Sequence, residues 1–429
     1  MKTQASPTAA TEFAQGWSKL LGALLGLAIG VHSLPFNTSG LFMKGLQAEF
    51  GWTRTQISLG PTVLIAALGL AAPFVGGLID RFGERRLIAP GLVVLALFFA
   101  TMSQLSGSIY QFYAALALAG ILAAGSATPT YTRIINGAFD KARGTALGIA
   151  LIGTGLATAI APPLLSLLIE AHGWRAGYLA IAIVIASLTP IILLLLGKTA
   201  PTQGDHPLKA EGHSVGQAVR DPTFWLLAAV FLGVALASNG LTVHFVPMLT
   251  DQGFSPEKAA ALASGIGLFL IVGRLLTGVL IDRFFAPRVA AIIFLVSAAG
   301  FLVVVWGGAR FALAGALAVG LSFGAEIDLI GYLTARYFGL KAYGRLYGLL
   351  YAVCLVGTGL SPFLYGVGFD HYGTYLPVLK VAALLLAMCG VLCLFMRRFP
   401  AMDGMKSARG ARSVPSTGPS GDHPLTGRP

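Results

Sequence analysis

Charge is scarce in this chain: Asp, Glu, Lys and Arg make up 11% of its 429 residues, against about 25% in soluble proteins. Cysteine is scarcer still, at three residues. Cys354, Cys389 and Cys393 all fall in the last two apolar stretches, where core packing is the expectation rather than a disulfide or a zinc site. Metal-ligand spacings and nucleophile–base pairs are also missing from the sequence. Neither an enzyme, a metal centre nor a bound cofactor is therefore expected. What fills the chain instead is apolar: hydrophobic residues reach 56% and the mean hydropathy is +0.79. A bilayer core requires about 20 apolar residues per helix, and stretches of that length recur from Leu20 to Phe395. The 55 glycines suit helices that pack closely in lipid.

The apolar blocks predict twelve spans, at 17–43, 57–79, 87–106, 110–133, 144–168, 176–197, 223–249, 259–281, 289–307, 311–335, 345–368 and 376–396. The polar start is unlike a cleaved signal, so the first block is expected to be a true membrane helix. The sequon Asn37-Thr38-Ser39 falls inside that block, out of reach of glycosylation. With both ends on one side, the 29 Lys and Arg segregate. Lys44, Arg54, Arg175, Lys258, Arg310 and Lys380 fall on the far side, Arg274 lies within a span, and all the others share the side of the termini. That bias is the positive-inside rule. It predicts cytoplasmic termini in a plasma (inner) membrane, and it makes the +12 charge a topology signal rather than a nucleic-acid footprint.

The chain divides into residues 1–198, a polar linker at 199–222, residues 223–399 and a tail at 400–429 that is expected to be disordered. Asp221-Pro222 supplies an N-cap and a first-turn proline for the seventh span. The two large parts repeat. Gly76-Gly77-Leu78-Ile79-Asp80-Arg81-Phe82 returns as Gly278-Val279-Leu280-Ile281-Asp282-Arg283-Phe284, Arg143 as Arg345 and Asn37 as Asn239. Duplicated six-span halves are a common way to build a transporter, with the substrate site near the midplane between them.

The loop after the second span reads Gly76-x-x-x-Asp80-Arg81-x-Gly83-x-Arg85-Arg86. It resembles the signature loop of the major facilitator superfamily, with a degraded copy in the second half ending at Arg288. The resemblance covers nearly the whole chain and implies an all-α membrane protein of two pseudo-symmetric six-helix bundles. An acid at the C-terminal end of a helix is unfavourable, so Asp80 needs a compensating partner. The resemblance implies a cytoplasmic gate in which Asp80, Arg81 and Arg143 work with Asp282, Arg283 and Arg345. The plainer reading is solvated loop charge.

Within that superfamily, Glu49-Phe50-Gly51-Trp52-Thr53-Arg54, Arg143-x-x-Ala146-x-Gly148, Arg220-Asp221-Pro222-x-Phe224-Trp225 and His244-x-x-Pro247-x-Leu249-Thr250 resemble the monocarboxylate and oxalate carriers. Arg274 stands inside the eighth span, where a charge costs about 2.5–3.5 kcal/mol on insertion scales. Its planar fork matches a carboxylate, and it falls where that branch keeps its carboxylate-binding arginine. The other reading is a structural ion pair. The chain departs from the branch twice. Leu270 stands where eukaryotic monocarboxylate carriers have an Asp, and the eleventh span lacks the lysine of oxalate carriers, Lys341 lying in the loop before it. A single buried cation favours a monoanion.

Glu326 and Asp328 sit two residues apart in the tenth span, about 200° around a helix, and so face different ways. Either is a candidate proton carrier, or else a partner for Arg274 or a helix end. His32 and His244 are further candidates for proton coupling, with packing around a satisfied hydrogen bond as the alternative. Asn37, Asn239, Tyr113, Tyr131 and Tyr332 are candidate contacts for a second substrate group.

The sequence thus predicts a monomeric secondary transporter whose partners are a small organic anion, a proton and the lipid bilayer. Proton-coupled uptake of a monocarboxylate is the first reading. Carboxylate exchange, drug or amphiphile efflux and a membrane solute receptor are the alternatives. The fifth span shows Gly153-Thr154-Gly155 and Pro162-Pro163, not the Gly-Pro-x-x-Gly-Gly of proton-driven efflux carriers.

Overall fold

A hydrocarbon core offers the backbone no water, so each spanning segment satisfies its amides within a helix. In a computed structural model of the chain, residues 9–139, 142–197, 212–339 and 341–399 are described, apart from the side chains of Ala9, Pro73 and Asp80. The tail, and most of the linker, lie outside these residues. The helices are α1 (Ala9–Ile29), α2 (Leu34–Asn37), α3 (Ser39–Phe50), α4 (Arg54–Phe82), α5 (Glu84–Met102), α6 (Ile109–Leu122), α7 (Thr128–Ala138), α8 (Arg143–Leu196), α9 (Val215–Arg220), α10 (Pro222–Asp251), α11 (Pro256–Arg283), α12 (Ala286–Gly307), α13 (Ala312–Phe338), α14 (Tyr343–Tyr372) and α15 (Leu376–Leu394). Among the described residues no strand forms. A lone antiparallel bridge joins Gly212 to Gly339.

Nine helical segments among these residues are long and apolar enough to cross a membrane. Two of them double back. The 54-residue α8 turns at Gly173, whose φ of 81° is open to glycine. The 53-residue run Ala286–Phe338 turns at Gly308, between α12 and α13. The interrupted pair α6–α7 completes twelve crossings.

Two spans predicted as continuous are broken. The first runs from Ala9 to Phe50 but is interrupted at Gly30–Ser33 and again at Thr38, where Pro35 opens the short α2. The fourth breaks between Leu122 and Thr128, with a single 3-10 turn at Ala124–Ser126. Pro129 fits the break: it sits in the first turn of α7, and in a continuous helix it would offer no N–H to the carbonyl of Gly125, four residues back. Other helix starts follow local chemistry. Thr53 and Gln56 form a reciprocal capping box at α4, and Asp221 accepts from the Thr223 amide at 2.8 Å.

The turn at Gly83, between α4 and α5, marks what we term the inner end of the bundle. The turn at Gly51, between α3 and α4, marks the outer end. Buried apolar side chains form two clusters, one spanning Leu20–Leu196 with Val243 added, the other Ala218–Met396. Leucines such as Leu97, Leu164, Leu194 and Leu384 stand exposed on the periphery, a surface suited to lipid.

Candidate functional site

The two clusters meet tightly at the outer end. Arg54, at the start of α4, is buried, its Nη1 lying 2.6 Å from Asp251 at the end of α10 and 2.5 Å from the Tyr375 hydroxyl. Its guanidinium rests 3.7 Å from the centre of the Phe369 ring, and Lys44 adds a second contact to Asp251 at 3.3 Å. The Asp370 carboxylate accepts from the Thr55 amide at 2.8 Å. One layer deeper, His244 Nε2 lies 3.0 Å from Ser58 Oγ and 2.9 Å from the Pro362 carbonyl, while Nδ1 lies 2.8 Å from the Tyr375 hydroxyl. A side chain added to Gly40 would run into the Val243 carbonyl. This end is closed.

The inner end is not. A Cβ added at Gly76, Gly144, Gly148, Gly344 or Gly348 would meet nothing within 4 Å. Arg81, Arg143, Asp282, Arg283 and Arg345 are exposed, and Arg143 turns its Nε 3.3 Å from the Phe139 carbonyl of its own half. The Asp80 side chain lies outside the described residues. The gate residues expected from the loop motif therefore stand at an end where the halves are apart.

Between these ends lies Arg274, and glycines explain its setting. Gly155 of α8 and Gly267 of α11 let those backbones touch across the two halves. One turn from Gly155, the Leu151 carbonyl accepts from Arg274 Nη1 at 3.0 Å. Gly320 and Gly324 of α13 pack against the α11 backbone between Ile266 and Arg274. One turn beyond Gly324, Asp328 arrives with Oδ2 3.5 Å from Arg274 Nε. Arg274 is 6% exposed at its side chain and Asp328 26%, and Arg274 Nε is buried without a hydrogen bond. In α11, Arg274 sits on the inner side of the middle. The acid missing at position 270 is matched here by one on α13.

Glu326 points elsewhere, as the rotation between the two acids requires. It is buried, and its Oε1 accepts from Cys354 Sγ of α14 at 3.1 Å. Tyr347 and Tyr351, also on α14, stand within electrostatic reach of Arg274, the first also of Asp328 and the second of Glu326. Tyr343, Tyr347 and Tyr351 stack at four-residue spacing, with centroids 5.9 and 5.8 Å apart. Sequence reasoning passed over this ladder, although its spacing marks one helix face.

The other candidates are dispersed. Tyr113 donates to the Gln56 carbonyl at 2.8 Å near the outer end, and Tyr332 to the Ile281 carbonyl at 3.4 Å near the inner end. Tyr131 is wholly buried against Gly26, its hydroxyl unpartnered. Asn239 donates to the Ala235 carbonyl at 3.1 Å. Asn37 lines a small cleft with Thr158 and Thr242, at the meeting of the halves. His32 borders a larger cavity at the break between α6 and α7, while His244 belongs to the outer closure.

The arrangement of a buried cation between two helical halves, closed at one end and parted at the other, has counterparts among known proteins. The family model described as Major Facilitator Superfamily matches residues 25–327 and again 247–421. The chain belongs to the major facilitator superfamily. A facilitator-type carrier from Bacillus subtilis, YcxA, is 25% identical over 93% of this chain and 98% of its own length. Human monocarboxylate transporter 11 is 26% identical over 84% of this chain and 79% of its own length. Among solved structures, a bacterial homolog of the human lysosomal transporter Spinster, inward-facing and occupied, superposes with a TM-score of 0.69 at 16% identity, covering 91% of this chain and 97% of that one. That likeness is one of fold. A major facilitator is a multi-pass membrane transporter rather than an enzyme.

Proposed function

We propose that this transporter takes up a small organic monocarboxylate together with a proton across the plasma membrane, its inner end being cytoplasmic. The observation that carries the proposal is Arg274: a buried guanidinium with one hydrogen bond to a backbone carbonyl and a carboxylate held only at 3.5 Å. Arginine has five N–H donors and no acceptor, so donors remain for a second carboxylate. The relatives named monocarboxylate transporters support the same reading.

Asp328 is then the resident counter-ion. Two carboxylates on one guanidinium repel, so a substrate anion binds best when Asp328 is protonated. Substrate and proton thereby arrive together. Because Nη1 also ties α11 to Leu151 of α8, a substrate that draws the guanidinium away loosens a bond between the halves. Binding is thus connected to their rocking.

Proteoliposome uptake of labelled monocarboxylates, with and without an inward proton gradient, tests this. Gradient-driven accumulation that Arg274→Ala removes from well-folded protein is the expected result. Wild-type vesicles that move no carboxylate under either condition would overturn it.

A further inference from the structure

A cavity of about 110 Å³ shares one wall residue, Tyr351, with the tyrosine ladder of α14. Its walls come from both halves: His32 of the first span, Ala72 and Gly76 of α4, Ala127 at the break before α7, and Tyr351 and Leu355 of α14. The recess exists because Pro129 interrupts the fourth span, so small residues stand where a continuous helix would put a further turn. Gly76 faces open space, since a Cβ there would meet nothing within 4 Å. Despite His32, Thr128 and Thr130, the wall is almost wholly apolar. Tyr351 is shared, bordering the cavity while standing within electrostatic reach of Arg274.

We infer that this cavity receives the apolar tail of the transported carboxylate, so the substrate class is amphipathic monocarboxylates rather than small hydroxylated or dianionic acids. The inference rests on the carboxylate reading of Arg274. A polar 2-hydroxy group or a second carboxylate would lose its water against walls that offer it almost no partner. An alkyl group loses nothing there. A cavity of about 150 Å³ holds benzene, so this one has room for a tail of about four carbons. Because both halves supply walls, a tail that fills the space also touches both sides of the moving seam.

The experiment is a chain-length series. Dissociation constants of the purified full-length protein are measured for straight-chain monocarboxylates from acetate to octanoate, with the matching primary amides as controls. Affinity should rise about fourfold per methylene, the equivalent of about 0.8 kcal/mol, and level off once the tail fills the cavity. The amides should bind far more weakly, because they offer Arg274 no charge. Ala72→Leu should move the levelling to shorter chains and Leu355→Ala to longer ones. A series flat in chain length would overturn the tail site while leaving the carboxylate reading intact. Levelling that neither well-folded variant moves would overturn this cavity as its location. Amides that bind as well as acids would mark a greasy recess open to any alkyl chain, and would overturn the inference. If no carboxylate binds at any length, both readings fall together.

Discussion

Arg54 of α4 and Asp251 of α10 meet across the two halves, 2.6 Å apart, with the arginine buried and stacked on Phe369. The pair closes the outer end, so Arg54→Ala or Asp251→Asn should favour opening there. One lost charge-assisted bond of about 1.5 kcal/mol corresponds to roughly a tenfold population shift. Spin labels on Ala48 and Gln252, both exposed near that end, should report a longer distance. An unchanged distribution would leave the pair a packing contact that does not hold this end shut.

At the inner end the expected latch acts in the opposite state. Asp80→Asn should weaken closure of that end and deepen the inner-open population. Labels on Phe82 and Phe284, both exposed there, read it directly. No change in their separation would leave Asp80 an ordinary loop charge.

Proton coupling should divide the two acids of α13. Asp328→Asn should abolish accumulation driven by a pH gradient, while exchange of internal for external substrate survives, since exchange needs no net proton movement. Glu326→Gln, which alters a carboxyl held against Cys354, should leave gradient-driven accumulation in place. The reverse pattern would move the coupling role to Glu326.

At Arg274, lysine keeps the charge and loses the fork, so binding should weaken by roughly ten- to a hundredfold. Arg274→Ala should remove measurable carboxylate binding. Because alanine also strips Asp328 of its counter-ion, size exclusion and a thermal melt must first establish a normal fold. Near wild-type affinity in folded Arg274→Ala would discard the substrate class.

Charge placement predicts the orientation. With Cys354, Cys389 and Cys393 replaced, a cysteine at Ala48 should react with an impermeant maleimide on intact cells, and one at Arg220 should not. Labelling in the opposite sense would invert the topology.

The apolar blocks, the repeat and the loop motif made twelve spans and the facilitator architecture legible, because hydropathy is local and the bilayer sets the length of every helix. Arg274 was legible for the same reason: a charge inside a span is visible wherever it folds. Which of the two acids of the tenth span would partner it was not. Asp328 reaches it because Gly320 and Gly324 let α13 close on α11, and Leu151 reaches it because Gly155 and Gly267 let α8 do the same. Crossings of this kind depend on which helices become neighbours, and no spacing along the chain records that. His244, a candidate for proton coupling from the sequence, joins Ser58 and Tyr375 in the outer closure, linking residues from three separated stretches of the chain. The breaks in the first and fourth spans were written in Pro35 and Pro129. Only the packed bundle decided that the second break would open a cavity, because that took the tyrosine face of α14, from the other half, to complete the wall.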